Sequence, residues 1–145
     1  MQKPYLPHMR AAIEIAERHQ TPFGAALAMG DQLFVTAANQ TGELNDPTAH
    51  AEVMAIRKLG EQIKKTNLSG FTLYTTCEPC PMCMSAAIWA KVDALFYGCD
   101  IPTITQFLGQ IQQRASRLSK NSIKLVPVAG DILEPECRKL LTAFA

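Results

Sequence analysis

Residues 46–57 read DPTAHAEVMAIR, and the histidine and glutamate within them decide how the rest of the chain is interpreted. His50 and Glu52 stand two residues apart at the start of an apolar run that predicts a helix. Residues two apart point to opposite sides of a helix, whereas two ligands on one helix face would be three or four apart. The two side chains are therefore expected to have different roles.

Seven residues, CEPCPMC at 77–83, hold three of the five cysteines. As a C-x2-C-x2-C run they resemble an iron–sulfur motif, but that motif needs another cysteine where Ala87 stands. A structural zinc site needs four protein ligands, and the chain has no second C-x2-C pair to supply them. Cys80 and Cys83, three apart on one helix face, form a three-ligand set with His50. Such a set leaves one position open for water, as a catalytic zinc requires.

The two predicted helix starts bring these groups together. His50, Cys80 and Cys83 all fall in a first helical turn, where the positive end of the helix favours thiolates. Side chains at a helix start project past the end of the axis, so Glu52 can reach a water on the metal that His50 binds. We predict one Zn2+ per chain with these three ligands, and Glu52 as the catalytic proton carrier. The backbone N–H of Ala51 is expected to stabilise the polar intermediate.

The composition is that of an ordinary globular protein, with 145 residues of which 48% are hydrophobic and 19% charged. One domain spanning 1–145 is expected. A net charge of +1 argues against strong nonspecific nucleic-acid binding, although residues 101–145 are mildly basic at +3. The N-terminus does not resemble a signal peptide and no stretch is long enough to span a membrane, so a cytoplasmic location is expected. The odd number of cysteines speaks against a disulfide framework.

Hydrophobic periodicity and turn residues predict alternating helices and strands after an initial hairpin that turns at 30–31. Asp46 or Thr48 is expected to cap the second helix, Gly60 to end it, and 39–47 to form a polar loop. This order predicts an α/β fold, a three-layer α-β-α arrangement around a mixed five-stranded sheet. The predicted helices are 5–19, 48–60, 79–90, 103–118 and 134–144, and the predicted strands are 25–29, 32–38, 71–76, 93–98 and 122–128.

The pattern H-x-E followed by P-C-x-x-C is the signature of zinc deaminases that act on nucleobases, and this chain carries it in full. On these residues the chain resembles the cytidine-deaminase-like superfamily of zinc-dependent nucleobase and nucleoside deaminases. The stretches PFGAAL, NDPTAHAEVMAIR, LYTTCEPCPMCMSAAIWA and ALFYG look most like the small bacterial guanine deaminases. The resembling span runs over residues 21–97.

The resemblance implies two further substrate-binding residues. Asn39 matches the asparagine by which these enzymes hydrogen-bond their base or sugar, and Phe23 matches an aromatic residue near the base pocket. Guanine deaminases also place acidic residues near the base from a C-terminal tail, and Asp100 is a candidate for that position. The family forms dimers or higher assemblies, so a homodimer is implied.

The resemblance thus predicts hydrolytic deamination of a free nucleobase, guanine to xanthine and ammonia. A second possibility is deamination of the wobble adenosine of tRNA, because that family shares DPTAHAE, the asparagine and the cysteine motif; its members usually carry a small aliphatic residue where Phe23 stands. Cytosine or another base is a third possible substrate. Outside enzymes, a zinc-binding domain without activity and a redox-sensing thiol at Cys77 also remain open.

Overall fold

A five-stranded mixed sheet forms the centre of the protein, with strand order β2-β1-β3-β4-β5, in a computed structural model that describes all residues 1–145. The first strand is antiparallel to both of its neighbours, whereas the third, fourth and fifth strands are parallel. The strands are β1 (Gly24–Met29), β2 (Gln32–Ala38), β3 (Thr72–Cys77), β4 (Ala94–Cys99) and β5 (Val128–Ala129).

Helices cover both faces of this sheet and bury a separate apolar core against each. One core joins the sheet to the third, fourth and sixth helices, and the other joins it to the first, fifth and seventh. The predicted three-layer α-β-α architecture is therefore confirmed. The helices are α1 (Leu6–Arg18), α2 (Thr41–Leu44), α3 (Ala51–Ile63), α4 (Pro81–Ala90), α5 (Ile101–Thr105), α6 (Ala115–Lys120) and α7 (Glu134–Phe144). None of them combines the length and the apolar character that crossing a bilayer would require.

The hairpin, the first helix, the two buried strands and the terminal helix lie where the sequence predicts them. Pro81 occupies the first position of α4, where its missing N–H removes no hydrogen bond. These elements have strong local signals, because their apolar residues recur with the period of the structure that they form.

Other predicted boundaries are wrong. The residues predicted as one helix at 103–118 form the end of α5, an irregular stretch and the start of α6. The last predicted strand shrinks to two residues, Val128–Ala129. The polar loop contains the single turn α2, and α3 begins after His50, runs through Gly60 and ends where Lys64 adopts a left-handed conformation.

The directions of the strands bring the C-terminal ends of β2, β3 and β4 to the same edge of the sheet. Because β2 and β3 are both antiparallel to β1, and β3 is parallel to β4, all three strands end at the same edge. Asn39 follows β2, Glu78 follows β3 and Asp100 follows β4. Polar side chains at this edge can therefore meet, as they commonly do in open α/β sheets.

Candidate active site

His50, Cys80 and Cys83 converge at the starts of α3 and α4. His50 and Cys80 are the residues immediately before the two helices, with extended backbone, and neither side chain caps its own helix. Both side chains are thus free to project beyond the helix end. The His50 Nδ1 atom lies 3.7 Å from the Cys80 Sγ and 3.5 Å from the Cys83 Sγ. The three ligand atoms all lie within 4.8 Å of one another.

These spacings fit a zinc ion. A nitrogen and a sulfur bound to one tetrahedral zinc at about 2.1 and 2.3 Å would lie about 3.6 Å apart. The observed distances of 3.5 and 3.7 Å bracket that separation. One imidazole and two thiols also form a donor set that zinc prefers. The residues present therefore match the predicted cofactor, one Zn2+ per chain.

The electrostatics of the Cys80 thiol favour metal binding. A hydrogen bond from Cys83 is the largest influence on the Cys80 thiol, and with His50 it lowers the pKa of Cys80 to about 4. The same pairing with Cys80 raises the pKa of Cys83. The hydrogen bond with Cys80 likewise raises the pKa of His50. One sulfur is thus a thiolate at neutral pH, and the start of α4 stabilises negative charge there.

Glu52 lies beside this triad in the first turn of α3, with only 8% of its surface exposed. The donors to its carboxylate are its own backbone N–H and the Cys83 thiol, and both act to lower the pKa. Burial raises the pKa of the Glu52 carboxyl to about 7, and the negative charge of Cys80 adds to this effect. A buried carboxyl that titrates near neutral pH and faces a cavity is well suited to carry a proton.

A cavity of about 110 Å³ adjoins the triad, and it is lined by Phe23, Asn39, Thr41, His50, Glu52, Cys77, Glu78, Cys80 and Gln110. It contains both residues that the sequence suggested as base contacts. The Asn39 backbone N–H donates to the Phe23 carbonyl at 3.2 Å, which ties the two together. The Thr41 N–H donates to the Asn39 Oδ1 at 3.3 Å, so the Nδ2 of that amide is left without a protein acceptor.

Two residues that the sequence analysis suggested for the substrate site, Ala51 and Asp100, do not line this cavity. Ala51 is fully buried at the first position of α3, and only its neighbours His50 and Glu52 reach the cavity. Its N–H has no acceptor within the helix, as holds for every first helical residue, so its suggested role stays a prediction. Asp100 instead caps α5, because its carboxylate accepts the Thr103 N–H at 2.8 Å. Its suggested place beside the base is therefore wrong.

Glu78 and Gln110 line the cavity, although neither was selected from the sequence. Glu78 stands two residues before Cys80, and an acid inside a metal-binding motif was a signal that could have identified it. Gln110 belongs to the irregular stretch after α5, so nothing local predicted its position. It reaches the cavity only through tertiary contacts.

The buried thiol of Cys77 also lines the cavity. Burial raises the pKa of this thiol well above its ordinary value, and the nearby charges of Cys99 and Glu52 act in the same direction. A thiol held in its neutral form is a poor nucleophile and a poor redox sensor. The structure thus gives the redox interpretation of Cys77 no support.

Residues 3–99 match the cytidine and deoxycytidylate deaminase zinc-binding region. The chain is 44% identical over 79 residues to a guanine deaminase of Bacillus subtilis (strain 168), an alignment that covers 54% of this chain. The chain spans about half the length of that relative, 51%. It is 34% identical over 142 residues to a tRNA-specific adenosine deaminase of Buchnera aphidicola subsp. Schizaphis graminum (strain Sg), covering 94% of this chain and 90% of the relative.

Among solved structures, a guanine deaminase from Nitrosomonas europaea superposes with a TM-score of 0.88. The superposition covers 99% of this chain and 86% of the other, at 20% sequence identity. At that identity the likeness concerns the fold alone, and it agrees with the α-β-α arrangement described above.

Proposed function

The chain belongs to the family of cytidine and deoxycytidylate deaminases with a zinc-binding region, and we propose that its substrate is a free nucleobase, guanine, converted to xanthine and ammonia. It is a zinc-dependent hydrolase acting on a C–N bond. The observation that carries the choice of substrate is the small cavity beside the triad, lined by Phe23 and Asn39.

His50, Cys80 and Cys83 would hold the zinc, since their spacing and donor types fit it. When bound, zinc lowers the pKa of a coordinated water to around 7 and so supplies a nucleophile at neutral pH. The ligands are preorganised, because each side chain comes from the rigid start of a helix.

Glu52 is the residue that we assign to proton transfer. Its carboxylate accepts the proton of the attacking water and delivers it to a ring nitrogen of the base. It then accepts the proton of the hydroxyl group that has added to the base and passes it to the amine, which leaves as ammonia. Burial favours its protonated form and so supports release of the proton to the substrate. The Ala51 N–H, at the same helix start, is assigned to stabilise the polar intermediate.

Phe23 and Asn39 are assigned to hold the base. An aromatic side chain can stack on the flat face of a purine, and the Asn39 Nδ2 is an unengaged donor for an acceptor on its edge. A cavity of about 110 Å³ is far smaller than the few hundred Å³ of sites for drug-sized ligands. This size supports a free base over a larger nucleoside.

A second candidate is deamination of adenosine in tRNA. The observation that favours it is the 34% identity to a tRNA-specific adenosine deaminase over 94% of this chain. Such an enzyme would take a flipped base into the same type of pocket. The net charge of residues 101–145 is only +3, and the structure shows no dense row of basic residues along a groove beside the cavity.

We also propose that the chain forms a homodimer through the exposed face of α4. This helix is apolar around its whole circumference, yet Trp89 on it is 70% exposed. A helix that is apolar all round is normally buried, so this face is suited to a partner helix.

The decisive experiment measures ammonia release from the zinc-loaded protein with free bases, nucleosides and tRNA. Guanine is expected to give the highest kcat/KM, and xanthine should appear in equal amount to ammonia. Turnover of tRNA adenosine without turnover of any free base would replace the first candidate by the second. If only cytosine or adenine releases ammonia, the protein is still a nucleobase deaminase, but guanine is not its substrate.

A further inference from the structure

Glu78 is a buried carboxylate that links the cysteine motif to the chain segment 101–115. It follows β3 directly, two residues before Cys80, and its surface is 2% exposed. Its Oε1 accepts the Ile101 N–H at 2.8 Å, and its Oε2 accepts the Ala115 N–H at 2.8 Å. These two N–H groups begin α5 and α6. One side chain thus fixes both ends of the segment 101–115, which comprises α5 and the irregular stretch after it.

Arg114 completes this arrangement. Its Nε donates to the Glu78 Oε1 at 3.0 Å and to the Oε2 at 3.1 Å, and its Nη2 donates to the Tyr97 hydroxyl at 3.4 Å. Each oxygen of Glu78 therefore has two contacts, made by three N–H groups in all, because the Arg114 Nε–H is shared between the two oxygens. Although Glu78 lines the cavity, both of its oxygens are already engaged by protein donors.

The stretch that Glu78 fixes carries one residue into the cavity, Gln110. The Ile111 N–H donates to the Gln110 Oε1 at 2.8 Å, which engages the oxygen of that amide. The Nε2 has no acceptor within the protein. Gln112 braces the stretch from within, because its Nε2 donates to the Thr105 Oγ1 and to the Gln110 carbonyl, both at 2.9 Å.

Asn39 and Gln110 consequently present the same chemistry from two different parts of the chain. In each amide a backbone N–H engages the oxygen and leaves the nitrogen unpaired. Because both residues line one cavity, their two unpaired amide nitrogens can donate to two acceptors on one flat heterocycle. An amino group on the base at either place would meet another donor instead, and the mismatch would disfavour binding.

We propose that Gln110 is a specificity-determining residue that donates a hydrogen bond to a carbonyl oxygen or ring nitrogen of the base, and that Glu78 is the positioning residue that holds it there. The proposal rests on the proposed function in that it takes the substrate to be a heterocyclic base. It does not depend on which base that is.

The first test compares Gln110→Ala and Gln110→Glu with the wild type on guanine and 2,6-diaminopurine, whose exocyclic groups at one ring position are a carbonyl and an amine. Gln110→Ala should raise KM for guanine by roughly tenfold and leave kcat and zinc content nearly unchanged. Gln110→Glu replaces the donor by an acceptor of the same shape. It should shift the kcat/KM ratio toward 2,6-diaminopurine by roughly tenfold or more. Unchanged KM values in both variants would overturn the role of Gln110.

The second test is a double-mutant cycle between Glu78→Gln and Gln110→Ala, read on KM. If Glu78 acts through Gln110, Glu78→Gln alone should raise KM, and it should add little in the Gln110→Ala background. Additive effects on KM would show that Glu78 only supports the fold. Glu14→Gln is the matched control, since it removes the same charge from the exposed Glu14–Arg18 pair. Arg114→Gln replaces Glu78→Gln in the cycle if the latter variant does not fold.

These outcomes separate the proposed substrate, guanine, from the proposed roles of Gln110 and Glu78. The cycle is run on guanine if the wild type accepts it, and otherwise on whichever base, nucleoside or tRNA the wild type deaminates fastest. If that substrate is not guanine, the proposed substrate is wrong, and the cycle still tests Gln110 and Glu78. If guanine is deaminated and the cycle is additive, only the present inference fails.

Discussion

The cavity has two walls that are held in place by different means. The metal wall comes from the starts of two regular helices, where His50, Glu52 and Cys80 line the cavity and Cys83 completes the metal-binding triad. The C-terminal wall, residues 100–115, has little regular structure and is attached through the Glu78 carboxylate. The two buried glutamates show the contrast. The donors to Glu52 are its own backbone N–H and the Cys83 thiol, whereas three N–H groups from other residues make four contacts with Glu78.

This difference explains how one residue type serves two purposes in one cavity. A buried carboxylate whose few donors do not offset burial has a raised pKa, as Glu52 has, and is suited to exchange protons. A buried carboxylate with both oxygens engaged by N–H donors is a fixed structural connection. The metal wall should therefore govern turnover and zinc content, and the C-terminal wall should govern stability and choice of base.

The largest expected effect is in the metal wall, at a ligand. Cys83→Ala removes one of three zinc ligands, so the variant should bind less than one zinc per chain and show no measurable turnover. Metal analysis of the purified variant and the ammonia assay check this. Cys99→Ala is the matched control, since Cys99 is buried but is not part of the triad. Stoichiometric zinc in the Cys83→Ala variant would remove Cys83 from the ligand set.

The next effect concerns the proton carrier. Glu52→Gln should keep stoichiometric zinc and lower kcat by about 10²–10⁴-fold, because the amide cannot shuttle a proton. Steady-state kinetics and metal analysis on the same sample separate the two properties. Glu17→Gln on the exposed side of α1 serves as the control and should leave both unchanged. Substantial turnover in the Glu52→Gln variant would end the assignment.

Substitutions in the C-terminal wall are expected to lower the free energy of unfolding and to leave the zinc content unchanged. Arg114→Met removes the cation that faces Glu78 and should lower the free energy of unfolding by about 1.5 kcal/mol. The estimate is at the low end for a charged hydrogen bond, because the Arg114 side chain is 45% exposed.

Chemical denaturation measures the effect of Arg114→Met, and zinc content should stay stoichiometric. The control is Arg18→Met, which breaks an exposed ion pair and should change stability by less than about 1 kcal/mol. Loss of zinc from the Arg114→Met variant would mean that the two walls are not independent.

The smallest effect is at the cap of α5. Burial of the Asp100 carboxyl raises its pKa, but the hydrogen bonds from Thr103 outweigh this and leave the pKa below the ordinary 3.8. Asp100→Ala should therefore cost about 1 kcal/mol at neutral pH. Because the folded pKa is lowered, this contribution is complete above pH 3.8 and is lost as the pH falls through the folded value. Denaturation curves at pH 7 and below pH 3.8 check the sign, and an equal difference at both would contradict it.

The same division governs what the sequence could predict. The metal wall follows from spacing within short motifs, because two helix starts and three ligand types restrict the geometry strongly. The error there was small: the residue immediately before the helix is His50, whereas Asp46 or Thr48 was predicted to cap it. Even so, the roles of Glu52, Asn39, Phe23 and Ala51 remain predictions until the variants are measured.

The C-terminal wall was predicted poorly for a physical reason. The helical periodicity over 103–118 is real, but the N–H groups of Ile101 and Ala115 find their acceptor on Glu78, which is 23 and 37 residues away. Local propensity is a weak influence, and such distant contacts commonly override it. No pattern within the stretch itself identifies Glu78 as its partner or Gln110 as a cavity residue.

The way in which Glu78 holds the C-terminal wall also bears on how the protein can diverge. Two of its four contacts are to backbone N–H groups, which every residue except proline supplies. Side chains between these anchor points can therefore be exchanged while the attachment persists, and an exchange at Gln110 would alter a group that lines the cavity. Substrate range and metal chemistry can thus evolve separately, because a new preference for a base can arise in this stretch without any change in the residues that bind the metal.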